Sequence, residues 1–245
     1  MSFPLEMTKG ETVRLRPQTP QPPFPYQTEE LTFTNDKDGA TLAGTLTLPK
    51  DVKNPPLVVM VSGSGQQNRD EEIFDHKPFA VIANRLAKGG IASFRYDDRG
   101  IGGSNGLRAD LITEDFRQDA LCALKTLRAR GISKRIGILG HSEGGLIAFM
   151  IAGEQPKEVD FVISLAGTAI SGEKVLLGQM KKVAEAQGVE MTEAQAKTNM
   201  LLAAQQNPWY KFFLEYDPTD AIQKIKCPVL ALNGTKDIQV IADDN

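Results

Sequence analysis

The chain has 245 residues, of which 41% are hydrophobic and 24% charged, and its formal net charge at pH 7 is -3. This length suffices for one substantial hydrophobic core, typical of a single α/β unit. The charged residues of both signs are interspersed and the chain is not basic, which argues against a surface that binds nucleic acid. No apolar run approaches the ~18 residues of a membrane span, and residues 1–9 lack the apolar segment of a secretory signal.

The cysteines and histidines are few: Cys122, Cys227, His76 and His141. Cys122 falls in a predicted helix and Cys227 just before a predicted strand, so two buried thiols are favoured over a disulfide. No metal-ligand spacing occurs. We therefore expect neither a metal nor a cofactor.

After a Pro-rich lead-in (residues 1–27), hydrophobic periodicity and turn residues predict an alternation of strands and helices. The predicted strands are 29–34, 41–48, 56–61, 91–96, 135–139, 160–165 and 228–232, and the predicted helices are 78–88, 113–130 and 145–152. Thr113 is the expected cap of the second helix and Gly131 its stop. This order predicts an α/β fold: a mostly parallel twisted sheet with helices on both faces and an antiparallel N-terminal hairpin.

The segment 170–226 breaks this alternation. It is too long for a simple connection, and residues 173–187 and 192–206 have helical patterns. It also carries an aromatic cluster made of Trp209, Tyr210, Phe212, Phe213 and Tyr216. We predict a helical lid over the carboxyl edge of the sheet, inserted between core residues 28–169 and the end of the core at 227–245. Alternatively, the aromatic residues only attach the insertion to the core, and both roles are compatible.

A Gly-His-Ser-Glu-Gly pentapeptide, residues 140–144, lies between a short apolar strand and a continuous apolar helix. A Gly-x-Ser-x-Gly sequence on a strand-to-helix turn is a nucleophile elbow. Gly140 and Gly144 let the neighbouring elements approach without a Cβ clash. The N-terminus of the following helix favours developing negative charge near Ser142.

Two polar segments are less specific. Arg99 follows a buried strand and is interpreted as structural, paired with a nearby carboxylate such as Asp97. The polar run 66–71 is interpreted mainly as solvated surface, although part of it, Gln66 above all, is a candidate for the substrate pocket.

With these landmarks the chain resembles the α/β-hydrolase superfamily, particularly bacterial carboxylesterase-like serine hydrolases, from about residue 28 to the end. Four segments carry the resemblance in the family's order. They are Ser-Gly-Ser-Gly at 62–65, Asp-Asp-Arg-Gly-Ile-Gly-Gly-Ser at 97–104, the pentapeptide 140–144, and Asn-Gly-Thr-Lys-Asp at 233–237.

The resemblance implies a mechanism and a substrate class. Ser142 is the expected nucleophile, forming an acyl-enzyme with a small or medium carboxylic ester. The backbone N–H groups of Ser64 and Glu143 are the expected oxyanion hole. Asp237 is the expected acid that orients a histidine base. Trp209, Tyr210 and Phe213 are candidate pocket residues from the lid.

The chain departs from the family at the base. The superfamily order is serine, acid, histidine, but no histidine follows Asp237. Strand alternation predicts that His141 points away from Ser142 as a packing residue, and His76 is interpreted as a surface or helix-start residue. We expect the histidine, with the eighth strand and last helix of the fold, beyond residue 245.

Similar proteins are often exported with an additional upstream domain, so Met1 is not necessarily the natural start. The 245-residue form is then expected to be nearly inactive and prone to pair through strand 228–232.

Other functions stay open on this fold. A peptidase resembling proline iminopeptidases, a thioesterase or an acyltransferase uses the same residues. A free acidic group in the pocket, able to hold a substrate amine, favours the peptidase. A non-catalytic binding module is the alternative from a different class. The sequence does not indicate the oligomeric state or the compartment.

Overall fold

The computed structural model describes residues 16–245, so most of the predicted lead-in lies outside the described residues. Seven strands are present: β1 Tyr26–Thr34, β2 Thr41–Pro49, β3 Leu57–Val61, β4 Ala92–Tyr96, β5 Ile136–His141, β6 Val162–Leu165 and β7 Val229–Leu232. The helices are α1 Pro78–Lys88, α2 Thr113–Ala129, α3 Glu143–Glu154, α4 Gly172–Ala186, α5 Glu193–Gln206, α6 Pro208–Glu215 and α7 Thr219–Gln223. A short 3-10 turn, Ala242–Asp244, follows β7.

The strands form one sheet in the order β1-β2-β4-β3-β5-β6-β7. β1 pairs with β2, and β2 with β4, in antiparallel fashion, and the remaining pairs are parallel. The predicted mostly parallel sheet with an antiparallel N-terminal hairpin is therefore confirmed. The strand order reverses between β3 and β5, which is where ligands bind in open α/β sheets.

Helices cover both faces of the sheet, as predicted. Alternate side chains of β3 enter two different cores because successive strand residues point to opposite faces. Leu57, Val59 and Val61 pack in the main core with α2 and α3. Val58 and Met60 pack with Phe79 of α1 on the other face. A third cluster joins Leu146 and Met150 of α3 to α4, α5 and α6.

The carboxyl end of the chain forms one edge of the sheet. Among the described residues β7 pairs with β6 alone, and the side chains of all four of its residues are exposed. No helix in residues 16–245 combines the length and the apolar character needed to cross a bilayer.

The observed elements correct several local expectations. Strand and helix ends move by up to three residues, and the aromatic cluster forms an additional helix, α6. Thr113 is not the cap of α2: the helix is capped at Ile112, whose N–H donates to the Asp115 side chain, 3.0 Å away. The Thr113 hydroxyl instead donates to Glu143, 2.6 Å away.

Arg99 is structural, as predicted, but its predicted partner is wrong. Its guanidinium is 1% exposed and donates to Asp119 (2.7 and 2.8 Å) and to Asp38 (2.5 Å). Asp97 pairs instead with Arg69, through N–O distances of 3.1 and 2.7 Å. Arg99 therefore fastens the hairpin turn before β2 to helix α2.

Candidate active site

Ser142 occupies the turn between β5 and α3 in an unusual backbone conformation. Its φ is 52° and its ψ is -117°, a combination that costs a non-glycine residue free energy and occurs mostly at functional sites. The two flanking glycines permit the turn. A Cβ on Gly140 would lie 2.0 Å from the carbonyl oxygen of Gly144, and a Cβ on Gly144 would lie 2.1 Å from that of Val61.

A cavity of about 350 Å³ opens over this turn, at the carboxyl edge of β3 and β5. Ser142 and His141 contribute its floor, the loop after β3 one side, and the helical segment 170–226 the opposite apolar side. The lining includes Gly63, Ser64, Gln67, Glu71, Thr168, Val175, Leu176, Gln179, Trp209 and Phe213. The volume suits a small ligand with an apolar part.

Two backbone N–H groups are candidate donors, that of Ser64 in the cavity lining and that of Glu143, the residue after Ser142. The Ser64 N–H donates to no backbone acceptor within residues 16–245. Glu143 is the first residue of α3, where N–H groups have no partner inside the helix. The neighbouring Gly63 N–H is already engaged, because it donates to a carboxylate oxygen of Glu71 at 2.7 Å. Ser64 and Glu143 thus remain as candidate donors to an oxyanion.

His141 lies in the cavity, which corrects the prediction that it is a packing residue directed away from the site. Its side chain is 44% exposed, and its Nδ1 lies 2.7 Å from Oε1 of Glu71. This hydrogen bond, opposed in part by burial, raises the pKa of His141, and the charge of Asp237 adds to the effect. Alternation failed here because the turn twists away from extended strand geometry at Ser142.

The side chain of Glu143 has its own structural role. It is 3% exposed, and one carboxylate oxygen accepts hydrogen bonds from Thr113 Oγ1 (2.6 Å) and Trp209 Nε1 (2.7 Å). Burial raises the pKa of Glu143, and the two hydrogen bonds lower it in part. The carboxylate therefore joins α2, α3 and α6 beneath the cavity.

The polar run after β3 is not simply solvated, which corrects that interpretation. Glu71 is 9% exposed. Arg69 pairs with Asp97, and Asp70 pairs with Arg95 of β4. The run is therefore bound to the core at several points, and Glu71 and Gln67 line the cavity.

Asp98 fixes the base of the same loop. Its Oδ2 accepts hydrogen bonds from the Ser62 hydroxyl and the Gln67 N–H, both at 2.9 Å. Burial raises the pKa of Asp98 to about 7, although both hydrogen bonds act in the opposite direction. The loop thus depends on a buried carboxyl group that titrates near neutral pH.

Asp237 lies in the loop after β7, partly exposed. Its Oδ1 accepts the N–H groups of Gln239 (2.8 Å) and Val240 (3.1 Å), two residues that line the cavity. His76 does not line the cavity: it is exposed and pairs with Ile73 through two backbone hydrogen bonds.

The structure brings Trp209 and Phe213 of the predicted pocket into the cavity, but not Gln66 or Tyr210. Tyr210 packs edge-on against Trp209, outside the lining. Gln66 lines a second cavity of about 340 Å³, which also contacts Ser64 and Trp209. Sequence reasoning missed His141 as a site residue and included Glu71 only as part of the polar run 66–71. The available signal was the position of Glu71 in the loop beside the candidate oxyanion residues.

The chain is similar to known hydrolases. A family model described as serine aminopeptidase, S33, matches residues 76–225. The esterase EstD of Thermotoga maritima is 29% identical over 214 residues, which are 83% of this chain and 52% of EstD. The chain therefore spans about half the length of this curated relative.

Solved structures share the fold. The Pyrococcus furiosus esterase Pf2001 superimposes with a TM-score of 0.65 at 21% identity, over 89% of this chain and 74% of that protein. Est1E from Butyrivibrio proteoclasticus has a TM-score of 0.61 at 17% identity, over 87% and 81% of the two chains. At these identities the likeness shows the fold alone.

Proposed function

Because the chain belongs to the serine aminopeptidase S33 family of α/β hydrolases, we propose that it is a serine hydrolase that cleaves carboxylic esters. The observation that carries the proposal is the conformation of Ser142, at φ 52° between β5 and α3 on the floor of the cavity. A turn of this kind presents a serine hydroxyl at the top of the sheet. The curated relative EstD, an esterase by name, favours ester substrates.

The proposed reaction has two steps. Ser142 Oγ attacks the acyl carbonyl carbon while a base removes the hydroxyl proton, and the alcohol leaves with that proton. Water then attacks the acyl-enzyme, releases the carboxylic acid and regenerates Ser142. The N–H groups of Ser64 and Glu143 stabilise the oxyanion of both steps, each contributing about 3 kcal/mol in the transition state.

The base is expected to be a histidine supported by Asp237. Serine is a weak nucleophile without a base within hydrogen-bond reach. His76 is exposed and outside the cavity lining, and Nδ1 of His141 is taken by Glu71. The superfamily order places the histidine after the acid, which favours neither of these two residues as the base.

A peptidase is the second candidate, because the matching family carries the name aminopeptidase. Recognition of a substrate amine requires an accessible acidic group in the pocket. Glu71 is the one acidic residue that lines the cavity in the described part of the chain. Its Oε1 already accepts from Gly63 and lies against His141, and the side chain is mostly buried. This arrangement favours the ester.

Covalent labelling tests the proposal. A fluorophosphonate should label the full natural chain at Ser142, and Ser142→Ala should abolish both labelling and turnover of p-nitrophenyl esters. An aminoacyl p-nitroanilide, offered in parallel, should be hydrolysed much more slowly than the ester. Labelling that persists in Ser142→Ala would contradict the assignment of the nucleophile. A chain that is neither labelled nor active would indicate a binding module.

A further inference from the structure

We propose that Glu71 is a positioning residue that fixes the loop bearing Ser64 against the Ser142 turn. The proposal rests on the proposed function, because its readout is the reaction of Ser142. Its basis is a single carboxylate oxygen with two partners. Oε1 of Glu71 accepts the Gly63 N–H and lies beside His141 Nδ1, each at 2.7 Å.

The two partners belong to the two elements that must be held in register. Gly63 directly precedes Ser64, and His141 directly precedes Ser142. The loop and the turn are also in contact, since a Cβ on Gly63 would lie 3.4 Å from Cβ of Ser142. By engaging the Gly63 N–H, Glu71 restrains the backbone that orients the next N–H, that of Ser64. The oxyanion hole needs such restraint, because its donors act only when aligned in advance.

Glu71 is itself rigidly held. Its N–H donates to the carbonyl of Asn68 at 2.8 Å, and the preceding residues Arg69 and Asp70 pair with Asp97 and Arg95. Glu71 has a φ of 51°, a conformation that costs a non-glycine residue free energy and that surrounding structure must maintain. The strained backbone conformation of Glu71 thus places its carboxylate between Gly63 and His141.

The charge distribution agrees with this role. The carboxylate accepts a hydrogen bond from a backbone N–H and from an imidazole whose pKa it raises, and hydrogen bonds to a charged group are stronger than neutral ones. Glu71 touches neither Ser142 Oγ nor, by this geometry, the oxyanion. It therefore acts on the reaction through Gly63 and His141.

Three variants of the full natural chain test the geometry. Glu71→Gln keeps an oxygen at the same distance, Glu71→Met fills the same space without an acceptor, and Glu71→Asp keeps the charge but withdraws it by one methylene. Glu72→Ala is the matched control, since Glu72 is adjacent and exposed. Kcat and KM for a p-nitrophenyl ester are measured with thermal unfolding of each variant.

We expect kcat to fall about 10- to 100-fold in Glu71→Met and Glu71→Asp, with KM within about threefold of the natural chain, since loss of one oxyanion donor lowers kcat 10²- to 10³-fold. Glu71→Gln should retain more activity than Glu71→Asp, although Glu71→Asp keeps the charge. Binding of a trifluoromethyl ketone, which forms an oxyanion on Ser142, should weaken in parallel with kcat. Unchanged kcat in Glu71→Asp would overturn the proposal, even where Glu71→Met does not fold.

His141→Asn separates positioning from base catalysis. Its amide can still donate to Glu71 from near the Nδ1 position, but it has no Nε2. Substantial activity in this variant supports positioning, whereas a loss as complete as that of Ser142→Ala would make His141 the base and overturn the proposal. The failure of the proposed function is distinct: in that case the natural chain itself is neither labelled by fluorophosphonate nor active.

Discussion

The indole Nε1 of Trp209 donates a hydrogen bond to the buried carboxylate of Glu143, 2.7 Å away. Glu143 is the residue after Ser142, so this bond ties helix α6 directly to the turn that carries the candidate nucleophile. The tie places Trp209 between the cavity over Ser142 and the second cavity beside Gln66. Segment 170–226 therefore forms one wall of the cavity over Ser142, and the position of this wall depends on the turn that carries Ser142.

We therefore expect Trp209→Ala to change the ester chain-length preference. Removal of the indole joins the two cavities and leaves Oε1 of Glu143 with the hydrogen bond from Thr113 alone, so longer acyl groups should gain relative to short ones. The ratio of kcat/KM for octanoate and butyrate p-nitrophenyl esters should rise about tenfold, the scale on which apolar pockets discriminate by size. Tyr210→Ala, on the same helix but outside the cavity, is the control. Superimposable profiles in a folded Trp209→Ala protein would assign the aromatic residues to attachment alone.

The close backbone packing around the glycines of the turn predicts that an added Cβ lowers the stability of the fold. In Gly144→Ala the new Cβ would lie 2.1 Å from the Val61 carbonyl oxygen and 2.6 Å from that of Ser62. Both obstacles are backbone atoms, so β3 or α3 must move, at a cost of about 3 kcal/mol or more. Denaturant unfolding of Gly144→Ala against Gly234→Ala, where a Cβ meets nothing within 4 Å, measures the difference. Equal stability of the two variants would contradict the close approach.

Much of the fold could be predicted because its signals are local. A continuous apolar run predicts β3, helical spacing of apolar residues predicts α1 and α2, and the Gly-x-Ser-x-Gly spacing marks the turn at Ser142. Helix α6 was not predicted, although its start has two local signals. The side chain of Asn207 accepts a hydrogen bond from the Tyr210 N–H, and Pro208 lies in the first turn. From the sequence, its aromatic residues form a cluster but do not mark the face of a helix.

The contact between Glu71 and His141 could not be predicted from local sequence signals. The residues are 70 positions apart, and Glu71 reaches His141 from an irregular loop after β3 in which Glu71 itself has a positive φ. No periodicity specifies that path. The partner of Arg99 was mistaken for the same reason: Asp97 is near in sequence, but Asp119 and Asp38 are near in space.

The buried ion pair of Arg99 and Asp119 predicts a large loss of stability when the arginine is removed. Substitution by Met leaves the Asp119 carboxylate, 1% exposed, without its cation, and breaking one side of a buried pair costs about 3–5 kcal/mol. We expect a loss of that size in the free energy of unfolding of Arg99→Met. Arg108→Ala is the control, because Arg108 is 40% exposed and exposed pairs contribute about 0–1 kcal/mol. A loss in Arg99→Met no larger than that of the control would contradict the structural role of Arg99.

Asp98 predicts how stability depends on pH. Its pKa is raised to about 7 in the folded protein, against about 3.9 in an unfolded chain, so the folded state retains the proton over this interval and the unfolded state does not. Stability then falls as pH rises, since the slope follows the difference in bound protons. Between pH 5 and pH 8 the contribution of Asp98 should decline by about 2–3 kcal/mol.

Asp98→Asn isolates this contribution. The amide oxygen can still accept from Ser62 and Gln67, but the side chain no longer ionises. The difference in free energy of unfolding between Asp98→Asn and the natural chain should therefore shift in favour of the variant by that amount between pH 5 and pH 8. Asp110→Asn, at an exposed position, should show no comparable shift. Urea unfolding at both pH values measures the effect. A difference that is the same at pH 5 and pH 8 would mean that Asp98 is already ionised below pH 5, and that the loop after β3 is not held by a carboxyl group that titrates near neutrality.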